Sequence, residues 1–293
     1  MKNILKVLLL TVVMFLSIAV AGSIFFEVDS NQTASESANS VLILFTVSFV
    51  NSIIFWIFIS QSKWRGLKLV SATFVVYWVS GTLLSQLDSI IYKSTIHLQQ
   101  SDIINAFLSG TLSAVLFSVL AVLISGKRKG TEDELKSNRI NLSPVEWLGS
   151  LSIFAALYVL LYFVAGYYIA WQNSDVRVFY SGSEEIAPFI EHMFKTFGDN
   201  PGILIFQVFR GLIWICLALL ITISMKCAWW IKALTVASVF GIVQTSQLLI
   251  PNPFMPEIVR HMHFIEISIS SFLFGGLVGS YYSRRSDWTL SEY

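Results

Sequence analysis

Charge is scarce in this chain. Of 293 residues only 13 % are Asp, Glu, Lys or Arg, against 55 % apolar, and the mean hydropathy is +0.70; an average soluble domain is about a quarter charged. So little polar surface could not cover a soluble core of this size, which excludes an ordinary globular fold. Cysteine is nearly missing as well. Cys216 and Cys227 form no CxxC and have no histidine at a metal-ligand spacing, so neither a disulfide framework nor a zinc site is indicated. The formal net charge is only +1, and the basic residues fall between apolar runs rather than on one face, which leaves nucleic-acid binding without support.

Several motifs are absent too. There is no His-Glu-x-x-His and no Gly-x-Ser-Gly, the residue sets of zinc and serine intramembrane proteases. No nucleotide-binding loop occurs, so a primary pump would need its ATPase from a partner. No motif ties the chain to a characterised family, implies a cofactor or metal, or nominates a catalytic residue.

What the chain has is long apolar runs. About 20 apolar residues cross ~30 Å of hydrocarbon, and runs of that length lie at 4–26, 41–60, 67–87, 103–125, 146–170, 202–224, 232–250 and 262–282. None alternates as a barrel strand must, so the reading is all-α, a polytopic membrane protein of about eight transmembrane helices in contact with membrane lipids. The first run follows a basic start and contains Ala19-Val20-Ala21, which also reads as a cleavable signal. Its continuation through Phe25 and Phe26 favours a retained helix.

Lysine and arginine orient the spans. With the N-terminus inside, fourteen basic residues lie on the inner side, among them Lys6, Lys63, Arg65, Lys68, Lys127, Arg128, Lys226, Arg284 and Arg285; the outer side has four, Lys93, Arg177, Lys195 and Arg260. This places both termini in the cytoplasm, and the short loops point to a bacterial inner (plasma) membrane. The Asn31-Gln32-Thr33 sequon carries little weight beside that.

The longest inner connection, 126–145, divides the chain into a four-span half, 1–125, and a second four-span half, 146–293, with a large outer loop at 171–201. Matching strings recur in order: Val20-Ala21-Gly22 with Val164-Ala165-Gly166, Ser85-Gln86-Leu87 with Ser246-Gln247-Leu248, and Phe107-Leu108 with Phe272-Leu273. Their order predicts two parallel repeats about an axis along the membrane normal. In that alignment Asn51 falls near Arg210, and Ser101-Asp102 near Glu266. Within the outer loop, 184–197 carries a helical apolar stripe and predicts an amphipathic surface helix.

Ionisable groups in hydrocarbon cost about 2.5–3.5 kcal/mol each on insertion scales, so they mark candidate sites. Arg210 and Glu266 lie at matched depth and are expected to pair. Gln244 and Gln247 stand one turn apart in the same layer, and His263 precedes Glu266 by three residues, on the same helix face. Just before them, Pro251, Pro253 and Pro256 force an elbow. Three functions fit such a layer. The first is an outward-facing pocket around Arg210, Glu266, His263, Gln244 and Gln247 that binds or passes a small anionic solute or lipid headgroup, drawn by the guanidinium fork. The others are a membrane-embedded enzyme acting on a lipid-linked or periplasmic substrate, with His263 or Glu266 as acid/base, and a structural or assembly subunit whose charges only hold helices together.

Overall fold

A computed structural model of the chain describes residues 2–26, 34–93, 98–128 and 140–291. The sequon at Asn31 and the centre of the 126–145 linker lie outside these residues. Helices α1 (Lys2–Phe25), α2 (Ala34–Gln61), α3 (Gly66–Trp78) with its continuation α4 (Leu84–Ile91), and α5 (Gln100–Ser125) form the first half. Helices α6 (Pro144–Ala165), the short α7 (Ser174–Ser181) and α8 (Phe189–Asp199), then α9 (Ile203–Ser224), α10 (Trp229–Ser238) and α11 (Glu257–Ser291) form the second. Among the described residues there is no strand, only an isolated bridge. The protein is an all-α polytopic membrane protein. Seven helical segments are long and apolar enough to cross a bilayer, and large apolar side chains such as Leu5, Leu160 and the 77 %-exposed Ile205 stand on its outer faces, where lipid rather than water suits them.

The eighth expected run, 232–250, is helical but broken. Its helix covers Trp229–Val243, about 22 Å at 1.5 Å per residue, and then unwinds into a 3₁₀ turn at Ser246–Leu249. Hydroxyls take over the freed carbonyls: Thr245 Oγ1 donates to Gly241 O at 2.6 Å and Ser246 Oγ to Val243 O at 3.2 Å. After the prolines, α11 starts at Glu257. The elbow is clipped by Arg260, whose Nη1 donates to the carbonyls of Leu248 (3.0 Å) and Ile250 (2.9 Å).

Contacts sort the loops to two ends of the bundle. At one end, the linker face, Lys6 Nζ donates to Ser125 O (3.0 Å) and Lys127 Nζ to the carbonyls of Ile59, Ser60 and Ser62, capping α5 and α2 as cations at helix C-termini do. Arg285 meets Glu146 at 2.9 Å there, and that glutamate closes a capping box with Ser143 at the start of α6. The 171–201 loop lies at the other end, the loop face. The two halves interlock: α3 packs on α9, α10 on α2, and the residues following α2 and α9 exchange hydrogen bonds, Lys63 N to Ser224 O (2.9 Å) and Lys226 N to Gln61 O (2.8 Å).

Helices α3 and α10 start from these paired crossings, and each widens into a π-helical turn centred on glycine, Val79-Ser80-Gly81-Thr82-Leu83 and Val239-Phe240-Gly241-Ile242-Val243. A third such turn, Gly166–Ala170, ends α6. Turns of this kind occur often at functional sites, and here all three lead into the same region.

Candidate functional site

The loop-face ends of α4, α6, α9, α11 and the unwound end of α10 enclose a cavity of about 240 Å³. Each helix contributes for a local reason. On α4, Ser85, Asp88, Ser89 and Tyr92 recur at helical spacing and put one polar stripe on the wall. On α11 the wall residues are His263, Glu266, Ser270 and Phe274, again one face. The unwound segment supplies Gln244, Thr245 and Gln247, a placement that suits irregular backbone at membrane depth, which is tolerated where it borders a cavity.

Arg210 pairs with Asp88, not with Glu266. Its Nη2 lies 2.8 Å from Asp88 Oδ2, and its Nη1 donates to Gln207 Oε1 at 3.2 Å. The pairing with Glu266 expected from matched depth is replaced because α4 continues the third span to Ile91, past the expected end at Leu87, and so carries Asp88 into the layer. Glu266 takes another partner, its Oε2 lying 2.9 Å from His263 Nδ1. The Arg210 side chain is only 4 % exposed, whereas Asp88 keeps 32 % of its side-chain surface open on the cavity wall. Four polar atoms here find no hydrogen-bond partner among the described residues: Asp88 Oδ1, Arg210 Nε, Gln207 Nε2 and Gln244 Oε1.

A second, larger cleft of about 1070 Å³ opens above, walled by the 166–200 segment. Tyr92, Tyr162, Tyr180, His263 and Glu266 line both spaces and form the wall they share. Tyr92 and Tyr162 share a hydrogen bond of 2.7 Å, and the Tyr180 hydroxyl lies 2.9 Å from His263 Nε2. Hydroxyl, imidazole and carboxylate thus run in line from Tyr180 through His263 to Glu266. Burial, then the Glu266 carboxylate, pushes the Tyr180 phenol above its ordinary range, so it stays protonated.

The cleft's roof is fixed by Arg177, which donates to the carbonyls of Trp171 (2.7 Å), Gln172 (2.9 Å) and Glu184 (2.8 Å). The expected amphipathic helix of the outer loop is present as α8, starting five residues late, after Pro188. It walls the cleft through Glu191, His192, Lys195 and Asp199, while Phe194 points its bulk away, 75 % exposed. His192 lies tilted against Trp171 with ring centroids 4.7 Å apart, and burial followed by Lys195 lowers its basicity, keeping the ring neutral near pH 7.

All five residues picked from the sequence, Arg210, Glu266, His263, Gln244 and Gln247, line the one cavity. Asn51 and Asp102 do not. Asn51 bonds Ser246 at 2.9 Å between α2 and the unwound segment, and Asp102 accepts from Gln99 N at 3.0 Å as a helix cap. The first half's contribution is Asp88, and the sequence reading missed it together with the tyrosines that line both spaces. Its signal was the Ser85-Asp88-Ser89-Tyr92 stripe. Among the described residues no cluster of three His, Cys, Asp or Glu could hold a metal ion. No family model, curated protein or solved structure matches the chain.

Proposed function

We propose that this protein binds or passes a small solute or lipid headgroup in an outward-facing pocket, with an anionic group of the ligand directed to Arg210. The observation that carries the reading is that the charged layer borders a cavity that shares five wall residues with an open cleft, instead of being sealed between helices. The broken α10 supports it as well, because interrupted helices lined by polar groups are a recurring construction of transport sites. The site draws on both halves, Asp88 from the first and Arg210 and Glu266 from the second, as expected where a ligand sits between repeats. The matched π-turns and the reciprocal crossing at Ser62 and Met225 support an internal duplication about an axis normal to the membrane.

The same proposal places the chain in a bacterial inner membrane with the linker face in the cytoplasm, since Lys6, Lys127 and Arg285 gather there. Solute entry is then from the loop face. The test is water access: Ser85→Cys in a Cys216→Ala, Cys227→Ala background should react with a small membrane-impermeant thiol reagent added from outside. An unreactive thiol would leave the assembly-subunit reading instead.

A membrane-enzyme reading draws on the Tyr180–His263–Glu266 relay. Glu266 holds the imidazole with Nδ1–H, leaving Nε2 to accept from the Tyr180 hydroxyl, the orienting logic of acid–base triads. Loss of turnover in a stable His263→Gln protein whose pocket still binds ligand would favour this over passage.

A further inference from the structure

The charges along the entry path are not those of a simple anion site. Asp88 and Glu266 bring two carboxylates to the cavity wall against the one guanidinium of Arg210. The cleft outside is lined by Glu185, Glu191 and Asp199 against Lys195 alone, with His192 neutral. A lone anion would approach up an unfavourable potential, whereas a cation is drawn inward, and a charged cleft focuses that field. Two acceptors here have no partner among the described residues, Asp88 Oδ1 and Gln244 Oε1, the latter on a residue only 7 % exposed. An unpaired buried acceptor is costly, and both atoms belong to residues that line the same cavity.

We propose that the ligand carries an ammonium group, held by Asp88 and Gln244 and balanced by Glu266. This rests on the pocket reading above and deepens it: with an anionic end at Arg210, the ligand is zwitterionic, either a free solute or a lipid headgroup. The volume agrees, since about 240 Å³ is some eight times the ~30 Å³ share of one water and below the ~300–1,000 Å³ of drug-sized pockets. It holds a small organic ion rather than a bare one.

The experiment is thermal unfolding of the purified full chain in detergent, at constant ionic strength, with glycine betaine, choline or acetate as probe. Betaine should raise Tm by about 5 °C at saturation, more than acetate does, and Gln244→Leu and Glu266→Gln should each abolish the shift while keeping the probe-free Tm within a few degrees. A shift with phosphatidylcholine micelles but not with betaine assigns the same site to a lipid headgroup. Choline as effective as betaine upholds the ammonium site and removes the anionic end of the earlier reading. Acetate as effective as betaine, or a betaine shift that survives in both variants, overturns the ammonium site and leaves the pocket standing. No shift with any probe overturns it too, and an unreactive Ser85→Cys then takes the pocket down with it.

Discussion

At the scale of single residues the decisive contact is Asp88–Arg210. Removing one partner strands the other: Asp88→Leu leaves a guanidinium that is 4 % exposed without its counter-charge, and breaking such a pair costs about 3–5 kcal/mol. Replacing both, Asp88→Leu with Arg210→Met, should restore stability to within about 1 kcal/mol of the native protein, because a buried pair contributes little over apolar groups of similar volume. Denaturation of the single and double variants in one detergent measures the difference. If the pair is structural only, the double variant also retains activity and ligand shifts; if it belongs to the site, it is stable and silent. Arg210 could be read from the sequence because a lone arginine amid Phe206, Val208 and Phe209 has no other excuse. Asp88 could not be read with the same ease, since a hydropathy boundary at Leu87 leaves it in a loop. Only the stripe of Ser85, Asp88, Ser89 and Tyr92 shows that the helix runs on.

At the scale of elements, hydropathy located every span but not where a span stops being regular. The π-turn at Val239–Val243 and the unwinding after it depend on close packing between α10 and α11, which apolar content does not record. Gly241 is the example. A Cβ there would lie 2.6 Å from Phe272 Cβ and 2.8 Å from the Ser268 carbonyl oxygen, closer than backbone can yield. Gly241→Ala should therefore destabilise by about 1–3 kcal/mol through overpacking, and it should widen the α10–α11 contact that holds Gln244 on the cavity wall. Gly149, in the second turn of α6, is the control. Nothing lies within 4 Å of a Cβ at that position, so Gly149→Ala should stabilise by about 0.5–1 kcal/mol through helix propensity. Comparing the two Tm values separates packing from propensity, and equal shifts of the same sign would contradict the close approach. The elbow, by contrast, was plain from Pro251, Pro253 and Pro256, since missing donors are a property of the residue itself.

For the whole molecule, orientation and assembly make separate predictions. Basic residues cap helices at the linker face, so reporter fusions after Arg128 and Arg285 should both read cytoplasmic; a periplasmic signal from either contradicts the topology. That asymmetry was available to sequence reasoning because it depends on composition alone. How the halves meet was not, because hydropathy says which residues enter the membrane and nothing of which helix faces which. The halves do not merely abut. The crossings after α2 and α9 exchange backbone hydrogen bonds, Asn51 bonds Ser246 between the halves, and the Asp88–Arg210 pair closes across the same interface. Each half alone would therefore expose the backbone groups of the crossings and, within the membrane, strand one charge of a pair, and a charge there costs about 2.5–3.5 kcal/mol on insertion scales. Chains severed within the 126–145 linker and expressed together should accordingly associate and copurify through a tag on either fragment, while each fragment expressed alone should be degraded. Asp88→Leu and Arg210→Met introduced together should leave copurification intact, since the crossings remain, whereas Arg210→Met alone should weaken it by leaving the carboxylate unpaired. Fragments that are stable alone and do not copurify would mean that two independent bundles, and not one interlocked pair, make up this protein.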